Sequence, residues 1–288
     1  MCRLFGFHSN VFLKVHRSLV KAENALEKQS MAHPDGWGIG YFQDEMPVIF
    51  KSPMAASEDP KFLKASEFLS AQTVIAHVRK ATVGQIKVEN NHPFSYKNWL
   101  FAHNGNVENF ALIKDRVRSM IRKDMLRYIS GDTDSEHIFY LIMSELLGDK
   151  KWNEVKITTK KLTEAVARTV NFIESLDKLN SNEEKAITNI LISNGEKFLV
   201  LRNGKDLFFS TQKNYCSDID ICSSVTKECI LGVRHQAINH IIVSSEKLTK
   251  EDVWEQIEER DFLVVDKDMQ LKTYSLSDFS SSLSFRVH

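Results

Sequence analysis

Cysteine is scarce in this chain of 288 residues, which contains only Cys2, Cys216, Cys222 and Cys229. Four cysteines are too few for a disulfide framework, and no pair has the Cys-x-x-Cys spacing of common zinc sites. A basic excess is also absent, because 38 Lys and Arg residues balance 38 Asp and Glu residues. Proteins that bind phosphate backbones usually carry such an excess, so we expect no nucleic-acid partner.

Long hydrophobic runs are missing as well. No apolar run approaches the roughly 20 residues that span a bilayer. The first ten residues, MCRLFGFHSN, lack the apolar stretch of a secretory signal. We therefore expect a cytoplasmic protein with reduced thiols and no membrane partner. Apolar residues make up 42% of the chain and charged residues 26%, which is ordinary for a globular protein.

The hydrophobic pattern predicts one α+β domain over residues 2–288, with two sheets and covering helices. Predicted helices are Val15–Lys28, Val107–Leu126, Ser135–Leu147 and a long amphipathic helix ending near Leu179. Predicted strands are 2–7, Trp37–Phe42, Val48–Lys51, Thr73–Arg79, Trp99–His103, Thr188–Ser193, Lys197–Arg202, Leu207–Thr211, Ile219–Ser224, Ile238–Ser244, Phe262–Val265 and Leu271–Tyr274. Residues 149–185 are predicted to form a helical insertion, with the best linker candidate at 179–185.

Cys2 follows the initiator Met directly. A small residue at this position is normally exposed when Met is trimmed, which would leave a thiol and a free α-amine on one residue. An α-amine has a pKa of about 7.7–8.0 and is suited to accept a thiol proton. Cys2 is therefore a candidate N-terminal nucleophile. The alternative is a small apolar residue that begins an edge strand.

The string AHNGN, residues 102–106, ends a predicted strand. Acyl transfer needs donors aimed at a developing oxyanion. Asn104 offers a side-chain amide, and Gly105 offers a backbone amide in a conformation that few other residues reach. The alternative is a plain Asn-Gly turn that closes a hairpin.

Two charged residues are candidates for substrate binding. Arg79, in the string AHVRKATVG, could hold a carboxylate through two parallel hydrogen bonds. Asp134, in GDTDSE, could bind an ammonium group. For Arg79, the alternative is a surface arginine at a strand end. For Asp134, the alternative is a cap of the helix that follows, for which Asp134 and Ser135 are the predicted residues.

Two loops supply further candidates. His92 lies in NNHPF and Trp37 lies in HPDGWGIG. Loops with aromatic and polar residues often line sites, although many are only turns. Trp37 is either a wall of the site or a packed aromatic residue.

The order of these strings resembles the class II glutamine amidotransferases, the cysteine branch of the N-terminal-nucleophile hydrolases. Family members carry "H-x-R-x-A-T-x-G", "H-N-G" and "T-D-[ST]-E" motifs, matched here by AHVRKATVG, AHNGN and TDSE. The start MCRL and the loop HPDGWG are similar to the short, stand-alone branch. The resemblance implies a four-layer α-β-β-α fold, which agrees with the two-sheet pattern.

The resemblance also implies roles. Cys2 would be the nucleophile, Asn104 and Gly105 the oxyanion hole, Arg79 the ligand of the α-carboxylate and Asp134 the ligand of the α-amine. His92 lies where the family often has a histidine beside the site, so it would contact the substrate. No metal or organic cofactor would be needed. Many family members have an aromatic residue where this chain has Lys80, and an "R-G-x-D" loop where it has HPDGWG. The substrate therefore need not be free glutamine.

Three hypotheses remain open at this level. The chain could be a glutaminase subunit that supplies ammonia to a separate synthase partner. It could be a hydrolase of a small γ-glutamyl compound, alone or with a partner subunit, as in the glutathione-degradation and ergothioneine-pathway members of this branch. It could also be a non-catalytic scaffold that retains the fold. The complete motif set argues against the scaffold, and the changed glutamine loop leans towards the hydrolase.

Overall fold

A computed structural model describes residues 2–180, 186–215 and 238–279. Cys216, Cys222, Cys229 and the predicted strand Ile219–Ser224 lie outside the described residues. So does most of the predicted linker.

Two antiparallel sheets form the centre of the described structure. The strands of the first sheet are β1 (Arg3–Lys14), β2 (Trp37–Gln43), β3 (Met46–Ser52), β4 (Ser70–Val78), β9 (Phe208–Ser210), β10 (His240–Ser244) and β11 (Glu255–Gln256). Those of the second are β5 (Phe94–Tyr96), β6 (Trp99–Asn106), β7 (Ile187–Ser193), β8 (Phe198–Leu201), β12 (Asp261–Val265) and β13 (Leu271–Ser275). Their orders are β11-β9-β10-β1-β4-β2-β3 and β13-β12-β8-β7-β6-β5.

The helices cover the outer faces of the two sheets. They are α1 (Leu26–Gln29), α2 (Pro60–Phe68), α3 (Phe110–Met120), α4 (Asp134–Leu147) and α5 (Thr159–Asn180). Side chains of α1 and α2 join the core on the outer face of the first sheet. Side chains of α3, α4 and α5 join the core on the outer face of the second. A third core lies between the sheets. The predicted four-layer α-β-β-α fold is thus confirmed.

Alternation along the strands explains how one sheet serves two cores. On β1, Leu4 packs between the sheets, whereas Phe5 packs against the outer helices. On β4, Ile75 and Ala76 divide in the same way. Successive strand residues point to opposite faces, so a run of apolar residues fills both layers.

The structure corrects two predicted helices. Val15–Lys28 is not one helix. A π-helical turn at Arg17–Lys21 is separated from α1 by residues 22–25, where Ala22 and Ala25 are non-helical with ψ of 156° and 155°. The backbone N–H of Asn24 donates to Leu248 O at 3.1 Å, so this gap is tied to another segment.

The helix predicted over Val107–Leu126 is shorter and starts later, at Phe110. Asn109 precedes it with φ of 51°, a left-handed conformation that asparagine tolerates better than most residues. The long predicted helix is present as α5. Its apolar side chains Leu162, Val166, Val170 and Ile173 are buried in the core over the second sheet. That residues 2–288 form a single domain stays a prediction.

Candidate active site

The antiparallel pairing of β1 with β4 brings Cys2 to the end of β4. Arg3 lies opposite Val78, so Cys2 meets the residues that follow β4. The Cys2 Sγ accepts a hydrogen bond from Lys80 N at 3.3 Å and donates to Lys80 O at 3.4 Å. Burial raises the pKa of the Cys2 thiol above its ordinary value of 9.0. At neutral pH this thiol therefore needs a nearby base to become a nucleophile.

Asn104 lies inside β6, opposite Asn189 of β7, and is 2% exposed. Its Nδ2 donates to Ser245 Oγ at 3.1 Å, and the same Oγ accepts a hydrogen bond from Leu4 N at 3.0 Å. Leu4 is two residues from Cys2 on the same strand. The Asn104 amide is thus one hydroxyl group away from the strand that carries the thiol. The alternative of a hairpin turn at Asn104-Gly105 is wrong, because both residues are paired with β7.

Gly105 is required for space. The prediction that it adopts a conformation few residues reach is wrong, since its φ is not positive. A Cβ at this position would lie 1.8 Å from Ile187 O and 2.4 Å from His103 Nε2. No side chain fits between β6 and β7 here without moving the backbone.

Arg79 is buried at the end of β4, with 3% of its surface exposed, so it is not a surface arginine. Its guanidinium donates to three carbonyl oxygens of the following loop: Gln85 O and Val83 O, both at 2.8 Å, and Gly84 O at 3.3 Å. A guanidinium carries five N–H groups, so these bonds leave donors for a further acceptor. Arg79 thus shapes the loop beside Cys2.

Asp134 is buried at the first residue of α4 and connects that helix to the end of β6. One carboxylate oxygen accepts a hydrogen bond from Val107 N at 2.9 Å, and the other accepts one from Ser135 N at 2.7 Å. The prediction that Asp134 or Ser135 caps α4 is wrong. Thr133 is the cap, and its hydroxyl accepts a hydrogen bond from Glu136 N at 3.3 Å.

His92 is buried between aromatic rings. Its ring centroid lies 4.3 Å from that of His77 and 4.7 Å from that of Phe94. Neither ring nitrogen has a hydrogen-bond partner among the described residues. Burial lowers the pKa of His92 well below 6.5, so the ring is neutral. Contact between His92 and a substrate stays a prediction.

Trp37 lies in the outer core of the first sheet and is 1% exposed. Its indole packs edge-on against Phe62, with ring centroids 5.1 Å apart, and Nε1 donates to Asp59 Oδ2 at 3.1 Å. Of the two alternatives for Trp37, this geometry is that of the packed aromatic residue. The Trp37 side chain is not among those that the structure brings close to Cys2.

Asp35 is a residue whose role the sequence did not reveal. Its carboxylate accepts a hydrogen bond from Ala81 N at 2.8 Å, and its N–H donates to Arg79 O at 3.1 Å. Arg79 N in turn donates to Gly36 O at 2.8 Å. The HPDGWG loop is therefore fastened to the segment that touches the thiol. The only signal was the unusual loop string itself.

The structure brings four of the predicted residues into one neighbourhood. Burial is the largest influence on the pKa of the Cys2 thiol; Arg79 lowers that pKa and Asp134 raises it, so both charges act on the sulfur. Asn104 reaches the same strand through Ser245. A thiol, buried amide donors and one charge of each sign can together carry out acyl transfer on a zwitterionic substrate.

The described residues contain no group of three or more His, Cys, Asp or Glu side chains that could hold a metal ion. In the same ranges, no helix has the length and apolar content needed to cross a bilayer.

Comparison with known proteins identifies relatives over most of the chain. The sequence profile of the family described as "Glutamine amidotransferases class-II" matches residues 1–285. A protein described as "Probable glutamine amidotransferase" from Saccharomyces cerevisiae is 28% identical over 226 residues, which are 70% of this chain and 63% of that protein. The γ-glutamyl-hercynylcysteine sulfoxide hydrolase of Mycobacterium tuberculosis is 37% identical over 87 residues, 30% of this chain and 37% of that one. This chain thus spans less than two thirds of either relative.

A solved structure has the same fold. It is the "glutamine aminotransferase class-II domain protein" from Silicibacter pomeroyi, which superposes with a TM-score of 0.65. The superposition covers 95% of this chain and 99% of the other, at 17% sequence identity.

Proposed function

This chain belongs to the class II glutamine amidotransferases, and we propose that it hydrolyses the γ-amide of a small γ-glutamyl compound through a thioester on Cys2. The products are glutamate and the amine that was bound to its γ-carbonyl. One observation carries the proposal. The Cys2 thiol lies against Lys80 N, while the Asn104 amide is joined through Ser245 to the strand of Cys2.

The nucleophile in this proposal is the residue that begins the mature chain once Met1 is removed. The α-amine of Cys2 accepts the thiol proton, because the raised pKa of the thiol leaves little thiolate otherwise. The sulfur then attacks the γ-carbonyl carbon, and an S–C bond forms. The side-chain amide of Asn104 and the N–H of Gly105 stabilise the negative oxygen.

Collapse of this intermediate breaks the C–N bond. The protonated α-amine of Cys2 gives its proton to the leaving amine, which departs. Water then attacks the γ-glutamyl thioester, releases glutamate and restores the thiol, with the α-amine acting as base. Arg79 binds the α-carboxylate and Asp134 the α-amine of the glutamyl group. Both side chains are buried, so an analogue that lacks either group leaves a charge unpaired and is rejected.

The choice of a γ-glutamyl compound over glutamine rests on two supports. The HPDGWG loop replaces the family's "R-G-x-D" loop and is fastened to the residues beside Cys2 through Asp35. A relative that shares 87 aligned residues is named as a γ-glutamyl-hercynylcysteine sulfoxide hydrolase.

A second candidate function is a glutaminase that delivers ammonia to a separate synthase. The family match and the relative from Saccharomyces cerevisiae favour it, since both are described as glutamine amidotransferases. The two candidates share every step at Cys2 and differ in the leaving amine.

The test is glutamate release by purified protein from glutamine, γ-glutamylcysteine and glutathione, with Cys2→Ala beside it. We expect release from the γ-glutamyl thiols, and its loss in the variant. Release from glutamine alone would favour the second candidate. Absence of release from all three substrates, with removal of Met1 verified by mass, would contradict both.

A further inference from the structure

Ser245 connects the two catalytic parts of the site. It follows β10 directly and is buried. Its hydroxyl oxygen accepts a hydrogen bond from Leu4 N at 3.0 Å and one from Asn104 Nδ2 at 3.1 Å. Leu4 belongs to the first sheet and Asn104 to the second. One side chain thus spans the gap between the strand that bears the nucleophile and the strand that bears the oxyanion donor.

The side chain and the backbone of Ser245 do separate things. Ser245 N donates to Leu4 O at 3.0 Å, which continues the pairing of β10 with β1. That bond is independent of the hydroxyl group. Removing the hydroxyl therefore leaves the strand pairing intact. It breaks the hydrogen bonds that the hydroxyl accepts from Asn104 Nδ2 and from Leu4 N.

The position of the Asn104 amide decides how well it can act. An oxyanion donor works when it lies about 2.7–3.1 Å from the oxygen that becomes negative. A misplacement of about 1 Å can cost on the order of 100-fold in rate. Asn104 Oδ1 has no partner among the described residues, so the contact with Ser245 is the described hydrogen bond that holds this side chain.

We propose that Ser245 is a positioning residue, which aims the Asn104 amide at the γ-carbonyl oxygen of a substrate held at Cys2. The inference rests on the proposed function. It adds a residue that touches neither substrate nor thiol but sets the rate of the chemical step. Loss of a purely structural serine would weaken the binding of the substrate and of the transition state alike. Loss of a positioning serine weakens the stabilisation of the transition state.

The experiment compares Ser245→Ala and Ser245→Thr with the wild type and with a control, Ser210→Ala. Ser210 is a buried serine of the same sheet whose hydroxyl donates to Gln212 O at 2.8 Å, away from Cys2. Thermal unfolding is recorded first, and kcat and KM for glutamate release are measured below the lowest midpoint. Should Ser245→Ala not fold, Ser245→Cys takes its place, since a thiol keeps the size but is a weak acceptor.

We expect Ser245→Ala to lower kcat about 10- to 100-fold with KM within about 2-fold of the wild type. Ser245→Thr, which keeps the hydroxyl, should recover most of the lost kcat, and Ser210→Ala should leave both constants unchanged. A kcat within about 2-fold of the wild type in Ser245→Ala, or equal losses in the Ala and Thr variants, would overturn the positioning role while the proposed function stands. A wild type without Cys2-dependent release would overturn the proposed function and this role with it.

Discussion

Cys2 and Lys80 form a reciprocal pair: the sulfur accepts from Lys80 N at 3.3 Å and donates to Lys80 O at 3.4 Å. The pair exists because β1 and β4 run antiparallel with Arg3 opposite Val78. The pair holds the thiol beside the loop whose carbonyl oxygens accept hydrogen bonds from Arg79. Burial raises the pKa of this thiol, and the hydrogen bond with Lys80 opposes that shift.

The first prediction concerns the reactivity of Cys2. Because burial raises the pKa of its thiol above 9.0, less than about 1% is thiolate at pH 7 while Met1 is retained. Alkylation by iodoacetamide should therefore be slow at pH 7 and become faster with each rise in pH, because the thiolate fraction grows about tenfold per pH unit below the pKa. Protein without Met1 should react faster at pH 7, since its α-amine can take the proton. Mass spectrometry of the N-terminal peptide measures both forms, and equal rates at pH 7 would contradict the role of the amine.

The second prediction concerns Asn104. Replacing it with Ala removes one donor of the oxyanion hole and should lower kcat about 100- to 1000-fold with little change in KM. Asn189→Ala is the matched control, because Asn189 is the buried neighbour on β7 and its side chain bonds to the backbone groups Lys205 O and Asn203 N. It should lower the thermal midpoint and leave kcat near the wild-type value. Similar losses of kcat in both variants would argue that Asn104 acts only through the fold.

The third prediction concerns Arg79. Lysine keeps the charge but cannot reach three loop carbonyls and a carboxylate together. Arg79→Lys should raise KM at least 10-fold, as judged by initial rates over a range of substrate concentrations. Arg122→Lys is the control, because Arg122 also holds a loop through two carbonyls, Gly148 O and Lys150 O. An unchanged KM in Arg79→Lys would contradict its role as ligand of the α-carboxylate.

The fourth prediction concerns acid stability. Burial lowers the pKa of His8 and His240 to about 4 and that of His77 to about 3. These rings are neutral in the fold, whereas they titrate near 6.5 when unfolded. The contribution of these neutral rings to the free energy of unfolding is complete above pH 6.5. It is lost as the pH falls towards 4, and the loss at pH 5 is about 2 kcal/mol for each histidine.

The corresponding measurement is the free energy of unfolding in urea at pH 7.5 and at pH 5. The difference between the two should be smaller in His8→Gln than in the wild type by about 2 kcal/mol. His16→Gln is the comparison, and it should have a smaller effect in the same direction, because burial also lowers the pKa of His16 but its ring is only partly buried. An unchanged difference in His8→Gln would show that His8 does not titrate as described.

Much of the fold follows from local pattern. Strand alternation and helical spacing predict the two sheets and the helices over the second sheet, because each apolar face has to be buried. The sequence pattern did not predict α2, which covers the first sheet. The helix predicted over Val15–Lys28 was wrong, because its helical spacing covers two short helical turns with non-helical residues between them. Asn24 is tied there to Leu248, a contact more than 200 residues away that no local pattern contains.

The candidate site could be predicted in part. Strings with chemical meaning indicate Cys2, Asn104, Arg79 and Asp134, and the structure brings them together through strand pairing. Ser245 and Asp35 could not be assigned roles, because their hydrogen-bond partners lie far along the chain. Ser245 bonds to Leu4 and Asn104. Asp35 bonds to Ala81. The conformation expected of Gly105 was wrong, and the crowding by Ile187 O that excludes a side chain there is a tertiary contact that the local sequence does not contain.

Trapping the covalent intermediate tests the thioester mechanism at Cys2 without further assumptions. Protein is mixed with γ-glutamylcysteine, quenched in acid within milliseconds to seconds, and digested for mass spectrometry. We expect a peptide that begins at Cys2 and carries one glutamyl group on its sulfur, removed by neutral hydroxylamine and absent from Cys2→Ala. A protein that releases glutamate at full rate while Met1 is still attached, or that carries the glutamyl group on another residue, would contradict it.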